Sequence, residues 1–318
     1  MAARKQDQKC SLFPYEIENV LSLQEVSQQI GWNISAFDLP NTWKISRGEG
    51  VKIAVLDTGC DLDHPDLDRN LLQGKNFVTP GRPPIDDCQH GTHVSGIIAA
   101  ENNNIGMVGV APDAKIIPVK VLDKNGNGNL SNVAKGIHWS VDYAKADIIC
   151  MSLGSPQPIE MVRKAIQYAA SKGVPCFVAA GNAGNTKNIF YPANYPETIA
   201  IGSINEDFNR SSFSNTGKNL DFMAPGGRIF STVPDNWYAF ISGTSMATPF
   251  VVGVAALVLS FIRKEKVNIN LNTVEDYRNV LRMHTIPIKN INWKNKKFYQ
   301  GFGIIDPQLL FEHVHKKS

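Results

Sequence analysis

The sequence predicts an α/β fold in which helices cover both faces of a mostly parallel central sheet. Apolar, β-branched runs of strand length alternate along the chain with segments that carry apolar residues at helical spacing. This alternation is typical of βαβ units, whose strands run parallel. The segment that follows Ser245 is apolar all round, which predicts a helix in the core of the protein.

The predicted elements follow one another without an internal repeat or a linker. They are a strand at 51–57, a helix at 90–100, a strand at 115–121, a helix at 132–144, a strand at 148–152, a helix at 159–171, strands at 174–180, 199–202 and 220–224, and the helix that Ser245 begins. Residues 1–45 are expected to form a polar, irregular N-terminal extension with one apolar knot at 12–15. Residues 46–318 are expected to form a single domain with a short C-terminal extension.

Composition and charge exclude several classes of protein. Of the 318 residues 43% are hydrophobic and 19% charged, and the net charge is only +3, which favours neither nucleic acid nor a membrane surface as partner. The sequence contains no run of ~20 consecutive apolar residues, and its first nine residues lack the apolar part of a signal peptide. The five cysteines are scattered and include no C-x-x-C pair. We therefore expect a cytoplasmic protein with reduced thiols.

Four polar residues stand where chemistry is expected in such a fold. Asp57 and Asn182 follow predicted strands, and His90 and Ser245 begin predicted helices. The ligand crevice of a parallel sheet lies at the carboxyl ends of its strands, so these side chains can face one crevice. Acyl transfer needs a nucleophile, a base, an acid that orients the base and a donor to the oxyanion, and the four residues supply one of each. The alternative for Ser245 alone is a helix N-cap.

Four motifs resemble the signatures of the subtilisin-like serine proteases. They are Asp-Thr-Gly at 57–59, His-Gly-Thr-His-Val-Ser-Gly at 90–96, Ala-Ala-Gly-Asn at 179–182 and Gly-Thr-Ser-Met-Ala-Thr-Pro at 243–249, in the order Asp, His, Ser of that family. The resemblance implies a subtilisin-like three-layer fold and peptide bonds as the substrate. It implies that Asp57 orients, that His90 is the general base and that Ser245 is the nucleophile. Asn182 would then be the oxyanion donor.

Three other interpretations of these motifs are less favoured by the sequence, and the pseudoprotease among them is kept as an alternative. An α/β-hydrolase would need a glycine at Ala247 and the order Ser, Asp, His. A metal pair of His90 and His93 lacks a third ligand at a sensible spacing, so His93 is expected to be structural. A pseudoprotease that only binds peptides would have no need of all four catalytic residues.

The resemblance also implies a set of substrate-binding residues. Two glycine-containing segments would pair with an extended peptide from either side, although two ordinary loops are the simpler alternative. Phe190 would lie on the floor of the S1 pocket and restrict the P1 residue to small or medium side chains, unless its ring turns out of the pocket. The full set is Gly126, Asn127, Gly128, Leu130, Ser152, Leu153, Gly154, Ala180 and Phe190.

A structural Ca²⁺ is implied by a second match to the family. The segment 101–107 matches a calcium loop without gaps, and hard oxygen ligands of this kind suit Ca²⁺. The implied metal site consists of Asp66, Glu101, Asn103, Ile105 and Met107. The alternative is a polar asparagine loop. A second, weaker cation site is incomplete, because Asn219 stands where an acid is usual although Asp221 is present.

The N-terminal extension resembles that of the intracellular branch of the family. Leu12, Phe13, Pro14 and Tyr15 are similar to the Leu-Ile-Pro-Tyr segment of intracellular subtilisins, which lies across the active site until it is removed. The resemblance implies a self-blocked precursor and a homodimer. The alternatives are a segment that only packs on the body of the protein, and a dedicated processing protease whose pocket Phe190 narrows.

Overall fold

The computed structural model describes residues 9–22, 27–289 and 295–315, so the first eight residues of the expected extension lie outside the described part. The strands are β1 Lys9–Leu12, β2 Glu16–Ser22, β3 Lys52–Asp57, β4 Lys75–Asn76, β5 Lys115–Lys120, β6 Asn127–Asn129, β7 Ile148–Met151, β8 Leu153–Gly154, β9 Cys176–Ala179, β10 Ile199–Ile204, β11 Phe222–Pro225, β12 Ile229–Val233, β13 Trp237–Ser242, β14 Thr285–Ile286 and β15 Ile304–Ile305. The helices are α1 Trp32–Ser35, α2 Leu39–Thr42, α3 His90–Ala99, α4 Leu130–Asp142, α5 Glu160–Ser171, α6 Thr244–Glu265, α7 Val274–Leu281, α8 Lys296–Gln300 and α9 Pro307–His315.

The central sheet has nine strands in the order β14-β15-β11-β10-β9-β7-β3-β5-β4. Its neighbours run parallel except β14 and β15. The central strand β3 is buried at every position but its first, which explains why its sequence is continuously apolar. The mostly parallel sheet predicted from the sequence is confirmed.

Helices form a layer on each face of this sheet. In one layer α3 packs on α6, and in the other α4 packs on α5. By length and composition α6 could cross a membrane, but the whole of its apolar window is buried inside the fold. It is therefore the core helix that the sequence predicts.

The N-terminal region is more ordered than its polar sequence indicates. Strand β1 lies between β6 and β8 and pairs antiparallel with both, and β2 adds a third strand to the hairpin of β12 and β13. Residues 9–22, which we call the strap, thus take part in two separate three-stranded sheets. The expectation of an irregular extension over residues 1–45 is wrong in this respect.

The second half of that extension belongs to the body of the protein. Helices α1 and α2 bury Ile34 and Leu39, and the ring of Phe37 lies 5.1 Å from that of Phe250, centroid to centroid. At the other end of the chain, α9 buries Phe311 against Phe261. Both end regions thus close over the helical core.

Candidate active site

The ends of β3 and the start of α3 bring Asp57 and His90 together. Nδ1 of His90 lies 2.8 Å from Oδ1 of Asp57, and both side chains are buried. The backbone N–H of Thr58 donates to the same carboxylate oxygen, and the Thr58 hydroxyl accepts from the N–H of Gly91. These bonds fix the strand end to the helix start, so the carboxylate holds the imidazole in one orientation.

Ser245 is the second residue of α6 and is fully buried. Its hydroxyl donates to the carbonyl of Ser152 at 3.3 Å, and the Ser152 hydroxyl donates back to the Ser245 carbonyl at 3.0 Å. Nε2 of His90 is buried and makes no hydrogen bond within the described residues. The serine and the histidine are thus near the same crevice but are not coupled in this arrangement, which is common before a substrate is bound.

Asn182 follows β9 and turns its side chain toward the start of α6. Its Oδ1 accepts from the backbone N–H and the hydroxyl of Thr244, at 2.9 and 2.6 Å. Its Nδ2 is therefore directed away from the helix. A Cβ at position 243 would lie 2.9 Å from that nitrogen, so Gly243 leaves room for the amide. The result is a fixed N–H donor at the mouth of the crevice, where an oxyanion can be stabilised.

The strap lies along this crevice. Cys10 pairs with Gly128 and Leu12 with Leu153, and the N–H of Leu12 donates to the carbonyl of Gly126 at 2.9 Å. The two glycine-containing segments predicted to bind an extended peptide therefore do bind one, from this chain. Such pairing uses the backbone and places few demands on side chains.

The strap ends at the predicted catalytic groups. Nδ2 of Asn182 donates to the carbonyl of Pro14 at 2.9 Å. The ring of Tyr15 lies 5.2 Å from that of His90, and its hydroxyl lies 3.9 Å from the Cys88 sulfur. Burial is the main cause that raises the pKa of this phenol above its usual value. The aromatic ring therefore covers the imidazole and limits the access of water to it.

The family of the chain follows from comparison with known proteins. Residues 48–303 match the sequence model of the subtilase family. This range contains all four of the motifs. The chain belongs to the subtilase family. It is therefore a subtilisin-like serine protease, as the motifs indicate.

Two relatives of this protease span most of its length. A protein named "Intracellular serine protease" from Paenibacillus polymyxa is 40% identical over 292 residues, which are 89% of this chain and 88% of the relative. The "Major intracellular serine protease" of Bacillus subtilis is 40% identical over 288 residues, 87% of this chain and 88% of the relative. "Subtilisin E" of Bacillus subtilis is 45% identical over 241 residues, 74% of this chain and 62% of the relative.

Phe190 lies beside a second aromatic ring in the part of the cleft where the resemblance implies an S1 pocket. The ring of Phe13 is buried, and its centroid lies 5.8 Å from that of Phe190. A Cβ at Gly154 would lie 2.6 Å from Cζ of Phe13, so the glycine leaves space for that ring. A large ring is thus accommodated beside Phe190 in this arrangement, and the restriction of P1 to small or medium side chains stays a prediction.

The remaining predicted substrate residues support the walls of the cleft. Leu130 begins α4 directly after the strand β6 and is buried. The carbonyl of Ala180 accepts from the N–H of Phe190 at 2.9 Å, which fixes the backbone beside the pocket. His93 is fully buried and its Nε2 lies 3.1 Å from the Ala239 carbonyl. Burial lowers the pKa of His93 to about 3, so the ring is neutral and structural, as expected.

The expected calcium loop is closely folded around one carboxylate. Asp66 accepts from the Asn103 side chain, the Met107 N–H and the Tyr238 hydroxyl, each at 2.9 Å. Burial raises the pKa of this carboxyl. Oδ1 of Asn103 accepts from the N–H of Ile105 at 3.1 Å. The described residues contain no cluster of three or more His, Cys, Asp or Glu side chains that could hold a metal. Apart from the Asp66 carboxylate, a cation here would therefore depend on neutral oxygen ligands.

Gln28 contacts this loop, which the sequence did not predict. The Gln28 side-chain amide lies 3.0 Å from the Glu101 carbonyl and 3.4 Å from the Met107 carbonyl. Two carbonyl oxygens and an amide that can present its own oxygen therefore converge here. The Glu101 carboxylate instead faces Arg69, whose N–H donates to it at 3.1 Å. The carbonyl of Glu101, not its side chain, is the part that faces the loop.

The incomplete second cation site is filled by an arginine. Nε of Arg278 lies 3.0 Å from Oδ1 of Asp221, and its Nη2 donates to the carbonyls of both Pro196 and Thr198. Asn219 instead donates to Asn194. Burial raises the pKa of Asp221 to about 6 although Arg278 opposes the shift. A guanidinium thus stands where a carboxylate and two carbonyls could otherwise hold a cation.

Proposed function

We propose that the protein is a cytoplasmic serine endopeptidase, made as a precursor whose strap blocks its own substrate cleft. The observation that carries this proposal is the pair of contacts at the end of the strap. The ring of Phe13 packs beside Phe190, where the resemblance implies the S1 pocket, while the carbonyl held by Asn182 belongs to Pro14. The names of two relatives and the five free cysteines support an intracellular location.

The chemistry assigned to the site is acyl transfer. Ser245 Oγ attacks the scissile carbonyl and its proton passes to Nε2 of His90, whose Nδ1–H is held by Asp57. The oxyanion is stabilised by the Asn182 amide and by the Ser245 N–H at the start of α6. His90 then gives its proton to the leaving amine. Water hydrolyses the acyl-enzyme in the same way, with water as the nucleophile, Ser245 as the leaving group and His90 again as base and then acid.

The strap binds along the cleft as a substrate does but in a different register. In a substrate, one residue supplies both the side chain in the S1 pocket and the carbonyl at the oxyanion donor. In the strap the side chain beside Phe190 comes from Phe13 and the carbonyl at Asn182 from Pro14, so the two are out of step by one residue. Pro14 also lacks an N–H and fixes its own φ angle. Being part of the same chain, the strap needs only modest affinity, since effective concentrations reach the millimolar range.

The test is to weaken the strap without touching the catalytic residues. Phe13→Asp places a charge in an apolar pocket, where burial is costly, so the strap should leave the cleft. We expect the full-length variant to label with a fluorophosphonate and to hydrolyse peptides much faster than the unaltered protein. Ile17→Asp, at a half-exposed position of β2, is the matched control and should activate far less. A synthetic peptide of residues 11–17 should inhibit the activated variant competitively. Equal activity of the unaltered and Phe13→Asp proteins would contradict the inhibitory role.

A second test concerns Asn182. In the Phe13→Asp background, Asn182→Leu should lower kcat by ~10²–10³-fold, a magnitude taken from the corresponding asparagine of subtilisin. Burst labelling of Ser245 should persist, because the serine and its base are unchanged. A loss below tenfold would remove Asn182 from the oxyanion hole.

We also propose that the loop around Asp66 holds a structural Ca²⁺. The donor set fits, because a buried carboxylate is surrounded by neutral donors and by carbonyl and amide oxygens. Asp66, Asn103 and Gln28 would bind through side chains, and Glu101, Ile105 and Met107 through carbonyls. The ion would supply stability and no chemical step. The homodimer implied by the resemblance stays a prediction, which sedimentation of the full chain can check.

A further inference from the structure

We propose that the edge of β13 and the side chain of Arg228 form a binding surface for the part of a substrate that follows the scissile bond, selective for an acidic side chain at its fourth residue. This inference rests on the proposed function, since the surface is free only when the strap has left. The strap itself supplies the observations, because its second half occupies this surface.

The first observation is the pairing of β2 with β13. Glu16 pairs with Ser242, Ile17 with Ile241 and Glu18 with Phe240, all antiparallel. Residues 16–18 follow Pro14 after one residue, Tyr15, and the Pro14 carbonyl is held by Asn182. A chain that places a carbonyl at Asn182 can therefore reach β13 after one further residue and pair with it from the second residue onward. Once β2 leaves, β13 is an unpaired sheet edge, which readily accepts another strand.

The second observation is an ion pair at a fixed place along this edge. Nε of Arg228 lies 3.2 Å from Oε2 of Glu18, which is the fourth residue after Pro14. Both side chains remain about half exposed. An acidic side chain at the same place in a substrate would meet the same guanidinium, whereas a lysine would be repelled.

The third observation is that Arg228 is positioned independently of Glu18. Its backbone is in the left-handed region, with φ of 51°, which is uncommon for a residue other than glycine. Its N–H donates to the Ser242 hydroxyl at 2.8 Å, and its guanidinium lies 4.2 Å from the centre of the Phe240 ring. The cation–π contact and the turn therefore hold the charge over the sheet edge when the strap is absent.

The size of the selectivity follows from exposure. An ion pair between half-exposed side chains is weak, so we expect an acidic residue to raise kcat/KM about two- to fivefold over a neutral one at low salt. The preference should decline with ionic strength, because salt screens exposed charges.

The experiment uses full-length protein with a site for a specific protease placed between Ser22 and Ser27, cut after folding. Three fluorogenic peptides differ only in Glu, Gln or Lys at the fourth residue after the scissile bond. The expected order of kcat/KM is Glu, Gln, Lys, with the ratios above. Equal values for all three peptides in the cut but otherwise unaltered protein would overturn the proposal.

Three variants assign the preference to its side chain. Arg228→Asn removes the charge but suits the left-handed backbone, and should bring the Glu to Gln ratio to about one. Arg228→Lys should keep part of the preference. Arg82→Gln, at another exposed arginine, is the control and should keep all of it. A Glu preference that persists in the Arg228→Asn protein would overturn the assignment.

A short chromogenic amide, with no residue after the scissile bond, separates the two proposals. If the cut protein hydrolyses this amide but does not discriminate among the peptides, only the present inference fails. If the cut protein does not hydrolyse the amide, the proposed function fails and the inference with it.

Discussion

Asp66 and Asp221 are two buried carboxylates whose hydrogen-bond partners differ in charge. The groups that donate to Asp66 within the described residues are neutral, namely an amide, a backbone N–H and a hydroxyl. Asp221 instead faces the guanidinium of Arg278. A buried charge is costly unless it is compensated. If the Asp66 loop holds the Ca²⁺ proposed above, it takes its cation from solution, whereas Asp221 is paired with a cationic side chain.

Among the variants that test this comparison, Arg278→Gln is expected to change stability most. Removing one partner of a buried ion pair leaves the other charge uncompensated, which costs about 3–5 kcal/mol. We expect the free energy of unfolding of the inactive Ser245→Ala protein to fall by that amount in urea. Adding Asp221→Asn should restore part of the loss, because the remaining charge is then removed. An Arg278→Gln protein as stable as its parent would mean that Arg278 does not compensate Asp221.

A pH series sharpens the same comparison. The folded-state pKa of Asp221 is about 6, above its ordinary value of 3.8, so the folded protein binds this proton more tightly than the unfolded chain. Stability that Asp221 contributes below pH 3.8 is therefore lost as the pH rises through about 6, by at most about 3 kcal/mol. We expect the Ser245→Ala protein to lose stability over this window relative to its Asp221→Asn variant. A constant difference between the two would contradict the raised pKa.

The expected effect of calcium is of similar or smaller size. An ion that binds only the folded protein stabilises it by ~2.7 kcal/mol at a hundredfold excess over its dissociation constant. Chelation should lower the Tm of the Ser245→Ala protein, and Asp66→Ala should abolish that sensitivity. Asp221→Asn is the matched control and should keep it. An unchanged melting curve on chelation would remove Ca²⁺ from the Asp66 loop.

The candidate catalytic residues could be placed from the sequence because each stands near one end of a strongly patterned element. β3 is apolar from Ile53 to Leu56, just before Asp57, and α6 is apolar from Phe250 to Leu259, just after the motif that contains Ser245. The polar partners could not be predicted in the same way. Arg278 lies on an amphipathic helix 57 positions after Asp221, and no local pattern connects the two.

The strap and the pocket are two further features that could not be predicted from the sequence. β1 and β2 are formed by edge pairing with distant strands, and their own residues have neither a clear alternation nor a turn of a common type. The size of the S1 pocket depends on how the Phe190 ring is turned, which residue type alone does not fix. In this arrangement the ring of Phe13 lies beside it, with 5.8 Å between the centroids.

The place of Gln28 limits how far the N-terminus can be shortened. Ser27 forms a bridge with Ile105, and the N–H of Gln29 donates to the Gly106 carbonyl at 2.7 Å, so the chain just after the strap is part of the Asp66 loop. On the function proposed above, a cut before Ser27 would free the cleft and leave this loop complete, whereas a cut a few residues later would remove Gln28 from it. A protease that cuts its own N-terminus would thus be activated by a cut before Ser27 and destabilised by a cut a few residues later. The lifetime of the active molecule would depend on which of these positions its copies cut.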